Sequence, residues 1–260
     1  MTWKPHKATR PVSEEELVQL GQYTPRRTRT HIPIPHSKLL ERVLDNLSVG
    51  GYTVKNLKCF VSKDNQKFMG KMNLWKEEIN FVTPEYKHGI TVIHSNDKTL
   101  PVLLGNNLEV SVCENGCYSG IFPLRLKHTG DFMYNLDKEI RNFTQNIEKE
   151  KTESFQNMEK LKEMDFSSNT EVHDFMIRAM KRGIINPTEI KPILKHWEEP
   201  EHPEFDPRNG YSLFNAHTSH LRSSNPLTLP QKTIKIRNYI DEFKSRHHET
   251  TQPRLESIRG

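Results

Sequence analysis

The sequence predicts an α+β fold, an antiparallel β-sheet with one helix before it and several helices after it. Three observations point there. Between about residues 52 and 127, apolar side chains recur at a strand period in short runs, separated by turns rich in Asn, Gly, Ser and Asp. Ahead of that stretch, Leu39, Leu40, Val43, Leu44 and Leu47 fall on one stripe of a helix that starts after Pro35 and stops before Gly50-Gly51. Behind it, from Asp137 onward, the period changes to that of helices. The boundaries that follow are a basic, partly extended arm over 1–36, one α+β domain over 37–246 and a flexible tail over 247–260. Within the domain the sheet core covers about 52–127 and the helical part about 137–246.

Taken in order, the arm holds five prolines and six basic residues, Lys4, Lys7, Arg10, Arg26, Arg27 and Arg29. Ser13 followed by Glu16 has the spacing of a capping box and starts a short helix that ends at Gly21. The stretch Tyr23–Arg29 is extended, because Thr and Pro disfavour helix and clustered guanidinium groups need water or phosphate. It reads either as a solvated connector or as a nucleic-acid arm. The runs Tyr52–Val61 and Lys67–Lys76, separated by Asp64-Asn65, form a hairpin. One face of it takes Val54, Phe60, Phe68, Met72 and Leu74 or their alternates. The other carries Lys55, Lys58, Lys63, Lys67 and Lys71, interleaved with Tyr52, Phe60 and Trp75. Lysines that neutralise phosphates beside rings that stack on bases make a single-strand nucleic-acid surface, although lysine also ordinarily lines the wet side of a strand. A meander continues through Ile90, Val92, Leu103, Val110 and Val112, with Asn115-Gly116 as a tight turn whose glycine takes positive φ. A basic strand ends it at Arg125, Lys127 and His128.

Asp137–Met164 reads as one long helix with a thin apolar stripe and a charged back. Ser168…Glu171 and Asn186-Pro187…Glu189 each start a further helix, forming an αα-hairpin around Gly183. The second of these carries Pro192, Trp197 and Glu198 where groove reading needs Arg, Asn or Gln, so it is not a DNA-reading helix-turn-helix. An acidic, proline-rich linker over 198–209 leads to helical patterns at Tyr211–Arg222 and Thr233–Ser245.

Composition narrows the function. Of 260 residues only 33% are hydrophobic, and mean hydropathy is −0.77, so polar arms or exposed helices must accompany the core. A net charge of +5, from 38 basic and 33 acidic residues, permits an anionic partner without demanding one. No apolar run approaches the ~18 residues of a membrane span, and three cysteines without a signal-like segment fit free thiols in the cytoplasm. Neither G-x-x-x-x-G-K-[ST] nor G-x-G-x-x-G occurs. Cys113-x-x-x-Cys117 with His128 or His94 supplies only one close ligand pair, and His217-x-x-His220 lacks the glutamate of the zinc-protease motif. No metal, cofactor or catalytic set is therefore expected.

Three segments carry a family resemblance. Thr30-His31-Ile32-Pro33 before the first long helix, Val112-Cys113-Glu114-Asn115-Gly116 followed by Lys127-His128-Thr129, and Tyr211–Thr218 resemble a phage and plasmid family known as domain of unknown function 932. The likeness spans roughly residues 30–222. Cys117 stands where the family more often has Met, and His217 where it has an aliphatic residue. The resemblance implies a mobile-element setting and kinship with single-strand annealing proteins, and it brings no catalytic residue.

The function expected is non-catalytic, sequence-independent binding of single-stranded nucleic acid, extending to strand annealing. Its residues are Arg26, Arg27, Arg29, Lys55, Lys58, Lys71, Arg125, Lys127 and His128. The rival is a phage accessory protein that engages a host protein through the long charged helix. A homo-oligomer is compatible with either, and a membrane with neither. The first reading requires these bases to converge on one groove, and the second lets them scatter.

Overall fold

The computed structural model describes residues 7–77, 79, 83, 85–111, 116–117, 122–166 and 168–251. It is an α+β protein whose chain folds as two compact units, Met1–Asn157 with Leu221–Pro230, and Met158–His220 with Gln231–Gly260.

The first unit is built on an antiparallel sheet of seven strands: β1 (Thr9–Val12), β2 (Thr53–Ser62), β3 (Lys67–Trp75), β4 (Tyr86–Ser95), β5 (Val102–Val110), β6 (Gly116–Cys117) and β7 (Leu124–Leu126). The strands pair in sequence order from β1 to β6, and β7 also pairs with β5. This is the meander that alternation and turn residues predict. Gly116 is a strand residue opposite Glu109 rather than a turn residue, and Asn115 lies outside the described residues. The expected arm is partly structured as well: β1 lies along β2, and Ser13 caps α1 (Glu14–Leu20) by accepting the amide hydrogen of Glu16 at 3.2 Å.

Register decides which side chains share a face. Phe68, Met72 and Leu74 of β3, Ile90 and Val92 of β4, and Val102 and Leu104 of β5 lie on one side. They pack with Leu39, Leu40, Val43 and Leu47 of α2 (His36–Val49) and with Phe132, Leu136, Ile140, Phe143 and Ile147 of α3 (Phe132–Glu163). Each fully buried side chain of this kind contributes roughly 1.5–3 kcal/mol of apolar transfer, which is why the thin stripe of α3 suffices to hold it on the sheet. Tyr52 belongs to this side too. Its ring is buried and its hydroxyl donates to Glu148 Oε1 of α3 at 3.4 Å, so it does not join the lysine face assigned to it from sequence.

The second unit is helical. It contains α4 (Asn169–Lys181), α5 (Pro187–Glu198), α6 (Gly210–His220) and most of α7 (Leu229–Thr251). Ser168 caps α4, and Asn186 with Glu189 closes a capping box on α5, the Asn186 amide donating to Glu189 Oε2 at 2.7 Å. Gly183, at φ +66°, turns the chain between them, a conformation that costs a residue with a Cβ. Phe166, Phe175, Phe214, Tyr239 and Phe243 fill its interior.

Candidate nucleic-acid interface

Strict alternation would put Lys55 and Lys58 on opposite faces of β2, since they are three residues apart. A bulge between them changes this. Lys55 pairs with Asn73 and Lys58 with Lys71, so β2 spends three residues where β3 spends two, and Asn56 absorbs the extra one at φ +53°. Asparagine tolerates this left-handed conformation better than most residues with a side chain. Lys55, Lys58, Lys71 and Trp75 consequently share the face opposite α2 and α3.

At the β2 side of that face the surface is open. Lys55 and Lys58 are exposed, Trp75 is 42% exposed, and the Lys55 ammonium stands over the indole at 5.1 Å from the ring centroid. A cation beside a wet aromatic ring is the pairing that binds a phosphate while a base stacks on the ring. Phe60 lies on the same face but is buried, so Trp75 is the ring available there.

Lys71, directly opposite Lys58, has a different fate. Its ammonium donates to Glu109 Oε2 at 2.8 Å, with the two side chains only 15% and 8% exposed, and Lys87 approaches the other carboxylate oxygen at 3.9 Å. One carboxylate thus offsets one of two lysines, and Lys71 is spent on an ion pair instead of facing a ligand. Further across the face Met69, Thr91, Ile93, Leu103 and Asn107 are buried.

The remaining bases form a second patch. Arg125 is opposite Leu103 and shares the Lys55 face, but four strand spacings of ~4.8 Å separate β7 from β2, about 19 Å. Arg26, Arg27 and Arg29 are exposed in the irregular segment after α1. The amide of Ile32 donates to the His128 carbonyl at 2.8 Å, which brings that segment beside exposed Lys127. The bases therefore fall in two patches with buried side chains between Lys55 and Arg125, and do not converge on the one groove that the nucleic-acid reading asks for.

His128 is a correction. Instead of standing among surface bases it is 4% exposed, stacked on Phe132 at 4.5 Å and on His94 at 5.5 Å. It belongs to a buried seam of four histidines that sequence spacing did not reveal: His31, His36, His94 and His128. Tautomers follow from the acceptors. His36 Nε2 lies 2.8 Å from the Asn65 carbonyl, which only accepts, so Nε2–H donates and Nδ1 must take the hydrogen of His94 Nε2 at 2.7 Å. By the same reasoning His128 Nδ1 donates to the Ile32 carbonyl at 3.1 Å and His31 Nε2 to that of Asn96 at 3.0 Å. The other nitrogens of His94 and His128 are buried and find no hydrogen-bond partner among the described residues. Burial holds His36 below the usual histidine range and His94 well below it, and pushes His128 down to about 4. These imidazoles are neutral and cannot serve as phosphate ligands at neutral pH.

Cys59 is a buried, unoxidised thiol pushed up to about 12 by burial, with Glu14 adding to the effect. Cys113 and the side chain of Cys117 lie outside the described residues. Among the described residues no group of three or more His, Cys, Asp or Glu side chains is placed to hold a metal ion, and no helix is long and apolar enough to cross a membrane. Comparisons of the chain with protein-family models, with curated proteins and with solved structures give no match, so the geometry of the site carries the functional argument.

Proposed function

We propose that the protein binds single-stranded nucleic acid without sequence preference and without catalysis, in keeping with the resemblance of residues 30–222 to a phage and plasmid family akin to annealing proteins. The observation that carries this reading is the ledge on β2 and β3. There the bulge at Asn56 sets Lys55 and Lys58 on one exposed face, with the Lys55 ammonium over the open indole of Trp75. Phosphates pair with the lysines, and any base can stack on the indole because every base has a π-face. Arg26, Arg27, Arg29, Arg125 and Lys127 supply a second patch that adds counterion release without reading sequence.

The test is fluorescence anisotropy with labelled oligo-dT, a mixed-sequence strand and a duplex over a salt series. Log affinity for both single strands should fall with log salt at roughly −0.7 per phosphate contact. Lys55→Glu with Lys58→Glu should abolish most of the binding, and Trp75→Ala should weaken it by about 1–3 kcal/mol. Absence of binding at low salt, or undiminished binding by the folded double variant, overturns the reading in favour of a protein-binding accessory factor.

A further inference from the structure

A second surface of the first unit has the opposite character. Between α1 and α2 runs an open cleft of about 420 Å³. Its floor is apolar, with Leu17 and Leu40 buried and Leu44 half-buried, and Val18 stands 66% exposed at its lip. Its rim is acidic from both helices: Glu14 on α1, and Glu41 and Asp45 on α2. Lys38 is the basic residue of the rim, and its ammonium already pairs with Glu41 at 2.6 Å. Three carboxylates against one ammonium leave the cleft negative on a chain whose net charge is +5.

We propose that this cleft docks a short amphipathic helix of a partner protein, one carrying lysine or arginine on either side of its apolar stripe. Size and chemistry both favour that occupant. Along α2 the cleft runs from Ser37 to Asp45, nine residues with a rise of about 12 Å, a little over two helical turns. Helix-in-groove recognition uses anchors at i, i+3 or i+4, and i+7, and a two-turn guest presents that set to Leu44 and Val18, over the buried Leu17 and Leu40. Basic residues flanking its stripe meet Glu14 on one side and Glu41 and Asp45 on the other. The same carboxylates repel phosphate, so nucleic acid is excluded as the occupant, and the surface works independently of the β2–β3 ledge.

The probes are two fluorescein-labelled 14-residue helical peptides sharing one leucine stripe, one with lysine and the other with glutamate at all other positions. Binding to the full chain is measured by anisotropy and mapped by amide chemical shifts. The lysine peptide should bind with shifts centred on Val18 and Leu44, and the glutamate peptide at least tenfold more weakly. Val18→Asp combined with Asp45→Lys should weaken the lysine peptide at least tenfold. Both side chains face solvent, so the melting temperature should stay within a degree or two, and oligo-dT affinity should not fall. No binding of the lysine peptide, equal binding of the two peptides, or binding that survives the double variant overturns the proposal. So does a wild-type dimer that the double variant dissolves, because the occupant is then a second copy of this chain.

Discussion

Two sets of nitrogen bases on one sheet have opposite fates. The lysines of β2 are exposed at the sheet's side, whereas the four histidines around the end of β4 are buried, and burial holds three of them, His36, His94 and His128, below the usual histidine range. Lys71 lies between these extremes, charged but held by Glu109. The contrast teaches that a basic residue type does not define a basic surface. Burial selects the protonation state, and partners decide whether a charge is available to a ligand.

The strongest way to expose the difference is acid. A histidine whose folded value lies below its unfolded value, near 6.5, binds more protons when unfolded, so stability is fully present above that value and is lost as pH falls from about 6.5 toward the folded value of about 4 for His128. Each such group removes roughly 1.4 kcal/mol per pH unit in that window. His36 and His94 act in the same direction, as do His88 and His217, pushed by burial to about 3 and about 4. Urea denaturation should therefore show several kcal/mol lost between pH 6.5 and 4. A flat profile would mean that the seam is hydrated and charged.

Next in size is Lys71→Glu, which sets two carboxylates together in a half-dry site and should cost about 3 kcal/mol in chemical denaturation. Lys58→Glu, at the paired position across the strands, should change stability by no more than about 0.5 kcal/mol. If the two variants melt alike, the distinction between the buried and the exposed lysine fails. His128→Phe keeps the stack on Phe132 and removes the hydrogen bond to the Ile32 carbonyl, so it should cost about 1 kcal/mol at pH 7 and reduce the acid slope. An unchanged slope would remove His128 from the seam's titration. The largest effect on binding, with only a small one on stability, belongs to Lys55→Glu with Lys58→Glu.

Much of the fold was legible in the sequence because its signals are local. The α2 stripe from Leu39 to Leu47, the paired runs around Asp64-Asn65, and the capping patterns at Ser13, Ser168 and Asn186 each depend on neighbours a few residues away. The site was less legible. Lys55 and Lys58 share a face only because of a bulge that no composition rule announces, and Tyr52 turns to Glu148, which is 96 residues later in the chain. His31, His36, His94 and His128 have no motif spacing; the sheet brings them together, and only contacts of that range show that His128 is inside.

The bulge at Asn56 also bears on how this chain tolerates changes in length. Deleting either Asn56 or Leu57 would leave Lys55 and Lys58 two residues apart, so unbroken pairing between β2 and β3 would keep every residue before the bulge on its present face. Val54 would stay opposite Leu74 on the core side, and Lys55 opposite Asn73 on the face of its indole. A single-codon deletion in the regularly paired part of β2, at Val61 for example, would instead invert the residues on one side of it, so a deletion at the bulge should be far less damaging than one elsewhere in the strand.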